Sequence, residues 1–288
     1  MSTPAYRLHA PRERRSSVVV AAAHSGRNYP AEFLSRIDLD ARAVRSSEDA
    51  FVDLLVADAP AIGAPLLVAT TPRAYVDLNR APDELDPALI EGVARAAHNP
   101  RVASGLGVLP RVVAGGRRIT RSRISRREAE ARLADCWHPY HERLTALMDE
   151  AYHAFDEAIL LDMHSMPHEA IVAASRSGSQ PADVVLGDRF GASADGEIVD
   201  RLEAAFADAG LNVARNAPFA GAYTAQHHGR PAGGRHAVQI EIDRALYMNE
   251  ALIRPNGNFQ AMRRVMAGVL TEIVEIGRSG DDLPIAAQ

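Results

Sequence analysis

The sequence has no lysine, so its 32 basic side chains are all arginine, a bias that reads as coding-sequence composition rather than function. It has a single cysteine, Cys136, which excludes an internal disulfide and fits a reducing compartment. Cys136 lies beside Trp137 in a helical pattern and reads as a buried, inert thiol. No apolar run approaches the roughly 18 residues of a membrane helix. Arg12 to Arg15 followed by apolar residues 18–23 superficially resembles a signal peptide. That run is at or below the short end of a signal core, roughly 7–15 residues, and leads directly into His24-Ser25-Gly26. It reads as the first core strand of a cytoplasmic protein. The net charge of −5 and pI near 6.1 give no sign of a nucleic-acid partner. There is no Gly-x-Ser-x-Gly elbow, Walker loop, Gly-x-Gly-x-x-Gly after a strand, or His-Glu-x-x-His.

The 288 residues are 47% hydrophobic and 24% charged, the balance of an ordinary globule. Strand and helix patterns alternate, which predicts a single α/β domain. Residues 1–17 read as a polar arm, 18–277 as the catalytic domain and 278–288 as a tail. Strands are expected at 18–23, 65–69, 159–163, 171–174, 184–186, 211–214 and 238–242. Helices are expected from a cap at Ser46 or Ser47, over 125–155 with a break at Pro139, over 195–209 with Gly210 ending it, and over 259–276. Residues 81–125, dense in Pro and Gly, predict loops and short strands that cover a substrate. Residues 218–234 read as a loop rich in Gly and His.

Two strands end alike: Val18 to Ala23 runs into His24-Ser25, and Ile159 to Met163 runs into His164-Ser165. Ligands of α/β sheets bind beyond the carboxyl ends of such strands. A lone histidine is more often structural, but a matched pair points to one shared metal ion. Catalytic zinc takes three protein ligands and leaves a position for water, so a carboxylate is needed; Asp49 is the first choice and Glu48 the second. A base must accept a proton from water, and Glu241, set between Ile240 and Ile242, is the candidate. Asp243 falls on the same strand face, which leaves a solvent-facing row as the alternative. Arg73 and Asn79-Arg80 are candidate anion binders, since a guanidinium fork matches a carboxylate; Asp77 could equally pair with an arginine. His227-His228-Gly229-Arg230 is either a site loop or a surface loop. His138 and His141 share a helical face and read as structural.

Taken in order, His24-Ser25-Gly26 with Tyr29-Pro30, Glu48 to Asp53, Val76 to Arg80, Asp162-Met163-His164-Ser165, His228-Gly229-Arg230-Pro231 and Gln239 to Ile242 resemble the N-formylglutamate amidohydrolase family. The resemblance spans roughly residues 18 to 270. It implies the zinc carboxypeptidase and aspartoacylase type of fold, an open mixed β-sheet with helices on both faces, as in phosphorylase/hydrolase-like proteins. It implies hydrolysis of N-formyl-L-glutamate to formate and glutamate, a late step of histidine breakdown. It assigns one Zn²⁺ per chain to His24, Asp49 and His164, and a substrate carboxylate to Asn79 and Arg80, with His228 also binding substrate. Arg73 would polarise the scissile carbonyl, and Glu241 would be the base. The related carboxypeptidases take an acidic ligand three residues after the first histidine, where this chain has Arg27. Members closest to histidine degradation carry Asp-Thr-Asp-Trp where this chain has Ser47-Glu48-Asp49-Ala50, which suggests a branch with its own substrate.

The expected partner is a small N-acyl amino acid, with neither nucleic acid nor membrane involved and homo-oligomerisation left open. Two other readings keep the fold. One is a carboxypeptidase or peptidoglycan-type amidase. The other is an inactive relative that only binds anions through Arg73 and Arg80.

Overall fold

The computed structural model describes residues 4–94, 99–175 and 180–278. Its centre is a seven-stranded sheet of β1 (Tyr6–His9), β2 (Val18–Ala22), β3 (Leu66–Ala69), β4 (Ala158–Met166), β5 (Val184–Gly187), β6 (Val213–Arg215) and β7 (Arg235–Asp243). The order is β1-β3-β2-β4-β7-β5-β6. Strands β3, β2, β4 and β7 run parallel to one another, as do β5 and β6; β1 lies antiparallel to β3, and β5 antiparallel to β7. The sheet is therefore open and mixed. Every residue of β2 and β4 is buried, as their continuous apolar runs require of strands covered on both faces.

The helices relevant to the site are α1 (His138–Phe155), α2 (Gly196–Asp208), α3 (Tyr223–His228) and α4 (Phe259–Ile276). The pleat sorts the strand residues between two layers. Val18, Val20, Ile159, Leu161, Val238 and Ile240 pack with α2 and α4. Val19, Ala21, Leu67, Leu160 and Ala237 pack with α1. Leu161, Leu202 and Phe206 expose no surface, and each such side chain contributes about 1.5–3 kcal/mol over an exposed one.

Several local expectations are corrected. Tyr6–His9, placed in a polar arm, forms an edge strand in register with Leu66–Ala69. No helix starts at Ser46. Val44–Ser47 is a 3₁₀ turn, Glu48 is extended, and Phe51 sits at φ 69°, so regular helix is confined to Val52–Leu55. Pro139 does not break the long helix: Arg126–Arg132 passes through a π turn, Leu133–Trp137, into α1, the kind of adjustment that accommodates a proline. Residues 171–174 belong to the helix His168–Ala174 rather than to a strand. Residues 218–234 contain α3. Residues 81–125 hold the short helix Pro100–Ala103 and a two-residue hairpin, Val112–Val113 with Arg117–Arg118. Of the expected tail, residues 279–288 lie outside the described residues. Among the described residues no helix is long and apolar enough to cross a membrane.

Candidate active site

The α1 face of the sheet changes character along its strands. In β4 the positions on this face run Ala158, Leu160, Asp162, His164; in β7 they run Ala237, Gln239, Glu241, Asp243. The two strands are in register, with Asp162 beside Gln239 and His164 beside Glu241. The amino-terminal half packs under α1, and the carboxyl-terminal half supplies chemistry, as topology predicts for parallel strands. Just beyond β2 the chain turns at His24-Ser25-Gly26. A Cβ on Gly26 would lie 2.0 Å from the Thr71 carbonyl oxygen, so this turn requires glycine.

Asp49 is stapled to that turn. Its backbone N–H donates to the His24 carbonyl at 3.0 Å, and Ser25 Oγ donates to the Asp49 carbonyl at 3.0 Å. This is the physical reason that no helix begins here: the amide that would enter one is bonded across to the first histidine. The donor atoms of His24, Asp49 and His164 consequently fall within 4.8 Å of one another, and all three residues are buried. His24 Nδ1 is 3.4 Å and His164 Nδ1 2.9 Å from Asp49 Oδ2. Each ring's other nitrogen meets a second carboxylate: His24 Nε2 donates to Asp77 Oδ1 at 2.7 Å, and His164 Nε2 lies 3.0 Å from Asp162 Oδ2. Carboxylates so placed fix the tautomer and aim the opposite nitrogen at a metal. Glu48 points elsewhere, held by Arg45 at 2.9–3.0 Å and by the Tyr29 hydroxyl at 2.6 Å.

Three observations show that these side chains could hold a divalent cation. His24 Nδ1 is buried without a hydrogen-bond partner. The donor set of two imidazoles and a carboxylate matches a catalytic zinc site. Three carboxylates, Asp49, Asp77 and Asp162, lie against the two imidazoles, and this concentration of negative charge favours a cation. Burial pushes the Asp49 carboxyl upward, but the hydrogen bond from His164 and the nearby His24 ring hold it well below the usual range. Asp77 is likewise held well below it, despite burial, by Arg73 and His24.

The site opens into a cavity of about 660 Å³ lined by His24, His164, Glu241, Arg73, Arg80 and Arg244, among others, a size typical of small-molecule sites. Residues Arg101 to Gly116 form one wall and Pro218 to Ala222 another, so part of the 81–125 segment borders the cavity. Arg73 Nε donates to Asp77 Oδ2 at 3.0 Å. Burial raises the Glu241 pKa; His164 opposes this most and Asp49 adds to it. Glu241 Oε1 accepts from Gln239 Nε2 at 2.8 Å.

Asn79 and Arg80 both line the cavity, but they stand differently. The Asn79 amide is committed inside the protein: Nδ2 donates to Gln239 Oε1 at 3.1 Å and Oδ1 accepts from the Thr224 amide at 2.8 Å. The Arg80 Nε is buried without a hydrogen-bond partner. The loop carrying both is pinned by Trp137 Nε1, donating to the Arg80 carbonyl at 2.9 Å, and by His141 Nε2, donating to the Leu78 carbonyl at 2.8 Å. His141 is thus a buried structural group, with its pKa pushed down to about 4 by burial, while His138 is exposed. His228 is not brought to the cavity wall. It lies in α3, stacked 6.3 Å from the His141 ring, and burial lowers its pKa to about 3.

Sequence reasoning missed Asp162 and Asp77 as supports of the histidines, Gln239 as the link between Asn79 and Glu241, and Arg244. Arg244 Nη2 donates to Asp49 Oδ1 at 2.9 Å, and its Nε donates to Ser165 Oγ at 3.1 Å. It therefore occupies one oxygen of Asp49 and leaves Oδ2 toward the histidines. Asp162 was legible, because it precedes His164 by two residues and a strand places both on one face. Nothing in the spacing points to Arg244.

The chain is similar to known proteins over most of its length. The family profile described as N-formylglutamate amidohydrolase matches residues 16–248. The N-formylglutamate deformylase of Pseudomonas aeruginosa is 30% identical over 240 residues, covering 82% of this chain and 84% of that protein. The N-formylglutamate deformylase of Pseudomonas putida is 31% identical over 192 residues, 66% of each chain. The crystal structure of N-formylglutamate amidohydrolase from Ralstonia eutropha JMP134 superimposes with TM-score 0.89 at 33% identity, covering 96% of this chain and 99% of that one.

Proposed function

Because the chain belongs to the N-formylglutamate amidohydrolase family, we propose that it hydrolyses N-formyl-L-glutamate to formate and L-glutamate, the chemistry of a late step of histidine breakdown. The observation that carries this reading is the buried His24–Asp49–His164 donor set, which opens into a cavity also lined by Glu241, Arg73 and Arg80. His24, Asp49 and His164 would hold one Zn²⁺, which when bound supplies Lewis acidity and a more acidic water.

The remaining chemistry follows from the chain's own groups. Asp77 and Asp162 hold the two imidazoles in the orientation that points their Nδ1 atoms together. Arg244 fixes Asp49. Arg80, which lines the cavity, receives a carboxylate of the substrate. Arg73 stands over the cavity as a fixed cation for the oxygen that gains charge as water adds to the formyl carbon. Glu241 accepts the proton of the attacking water and returns it to the leaving nitrogen, so the C–N bond breaks as formate and a free amine form. Its raised pKa brings it closer to neutrality, where a group that must both accept and release a proton works best. Asn79 and Gln239 position Glu241 by hydrogen bonds rather than touching the substrate. The single cysteine supports placing this reaction in the reducing cytoplasm.

The test is formate release from N-formyl-L-glutamate by the purified protein, with its zinc content measured for wild type and His164→Ala. About one zinc per chain, and loss of both metal and turnover in the variant, are expected. A His164→Ala protein with full metal and full activity would refute the assignment.

A further inference from the structure

Arg101 is set in the helix Pro100–Ala103 and lines the cavity together with Arg80. Among the described residues its guanidinium has no carboxylate partner, whereas Arg73, Arg111 and Arg244 are each paired to one. Its backbone is held firmly. Asn99 Oδ1 accepts from the Arg101 and Val102 amides at 3.0 and 3.3 Å, and the Arg101 carbonyl accepts from Leu106 N–H at 2.8 Å. The Ala103 carbonyl accepts from Arg111 Nη2 at 3.2 Å, and Arg111 is itself locked to Asp86 at 2.7 Å. A clamped backbone thus holds an uncompensated cation over the cavity.

The second observation is Arg80. Its side chain is about nine-tenths buried, its Nε has no hydrogen-bond partner, and its nearest carboxylate, Asp77, is 3.9 Å away. Burial lowers the Arg80 pKa; Asp77 opposes this, while Arg101 and Arg73 add to it. Both guanidiniums line one space, and their mutual repulsion is relieved when an anion joins them.

We propose that Arg101 is a specificity-determining residue that binds the side-chain carboxylate of the substrate, while Arg80 holds the α-carboxylate. The assignment rests on the reading of the substrate as an N-acyl acidic amino acid. It follows from depth. The α-carboxylate is borne by the carbon attached to the scissile nitrogen, so it reaches the buried Arg80 beside Asp77 and His24. The side-chain carboxylate extends away from the reacting bond, toward the exposed wall that carries Arg101.

The experiment compares N-formyl-L-glutamate with N-formyl-L-glutamine, its neutral isostere, for the wild type and the Arg101→Gln, Arg101→Lys and Arg189→Gln variants. Arg189 shares with Arg101 the wall of an adjacent depression but, unlike Arg101, does not line the main cavity, so its loss reports the general electrostatic field. Arg101→Gln is expected to raise KM for formylglutamate about 10- to 100-fold with kcat nearly unchanged, the scale of a charge-assisted contact. Turnover of formylglutamine should stay the same, so the discrimination between the two substrates disappears. Arg101→Lys should restore part of it, and Arg189→Gln should behave as wild type. Unchanged discrimination in Arg101→Gln would overturn the proposal while leaving the deformylase reading intact. So would an equal loss on both substrates, or the same loss in Arg189→Gln. A wild type that acts on neither substrate would instead overturn the underlying reading, and this proposal with it.

Discussion

Replacing Asp77 with asparagine tests whether the carboxylate behind the first histidine governs cation binding. Asp77 is almost fully buried. Its Oδ1 accepts from His24 Nε2 at 2.7 Å and from the Asn79 amide at 2.9 Å, and its Oδ2 accepts from Arg73 Nε at 3.0 Å. Three donors therefore converge on two acceptor oxygens. Asparagine has one oxygen and one NH₂ group in the same space. With its oxygen toward His24, the NH₂ group faces the Arg73 N–H; flipped, it faces the His24 and Asn79 N–H groups. Either orientation sets donor against donor and removes the charge that keeps the proton on Nε2. Loss of such a support typically lowers metal affinity 10- to 100-fold, or about 1.4 to 2.8 kcal/mol. The assay is zinc titration of chelator-stripped protein against a competing chromophoric chelator. Asp77→Asn should bind zinc 10- to 100-fold more weakly, and His24→Ala should lose the site. If Asp77→Asn keeps its affinity within about twofold while His24→Ala loses it, the argument from second carboxylates fails.

Two further perturbations test charge at other positions. Glu241→Gln should lower kcat by about 10²- to 10⁴-fold with little change in KM. Because burial raises the Glu241 pKa, its ionised form opposes folding at neutral pH, so the variant's Tm should be equal to or above that of wild type; a marked drop in Tm would show that the charge is needed structurally. His168 Nδ1 lies 2.7 Å from Asp243 Oδ2, and this hydrogen bond raises its pKa. The pair's contribution is then complete below the unfolded-state value of about 6.5 and is lost as pH rises through the higher folded-state value. NMR titration should place the His168 midpoint above 6.5 in wild type and lower it in Asp243→Asn; an unmoved midpoint would remove Asp243 as the cause.

What the sequence made legible were features repeated along one direction of the chain. The apolar runs before His24 and His164 are strands because both of their faces are covered, and their shared direction brings the two histidines to one edge of the sheet. The alternation at Gln239, Ile240, Glu241 and Ile242 correctly implied that Glu241 shares a face with Asp243. Its register with His164 was not legible, because strand order is set by packing between distant segments. The helix expected at Ser46 failed for a tertiary reason. Its Glu and Asp would suit a helix N-terminus, yet the Asp49 amide is bonded to the His24 carbonyl and Glu48 to Arg45. Tyr6–His9 was misread as an arm because its pattern is that of a half-exposed edge strand, polar enough to pass for a loop.

His228 and Asp162 show the limits of motif and of spacing. His228 belongs to a run that carries the family resemblance, but α3 turns it toward His141, and what this element gives to the site is the Thr224 amide that holds Asn79. Asp162 stands in a motif, and strand geometry assigns its role: two residues before His164 on the same face, it meets that ring's Nε2. Each histidine of the donor set is thus backed by a carboxylate, one from its own strand and one from a distant loop. The loop that supplies Asp77 also carries Arg73, Asn79 and Arg80 and is pinned by Trp137 and His141. Orientation of the first histidine and placement of the substrate-facing arginines are therefore set by one stretch of backbone. A change that loosens its anchorage to α1 should weaken cation binding and substrate binding together, whereas a change at Asp162, which holds His164 and accepts from Asn79 Nδ2 at 3.4 Å, should act on the cation and on the Asn79–Gln239–Glu241 chain while leaving Arg80 in place.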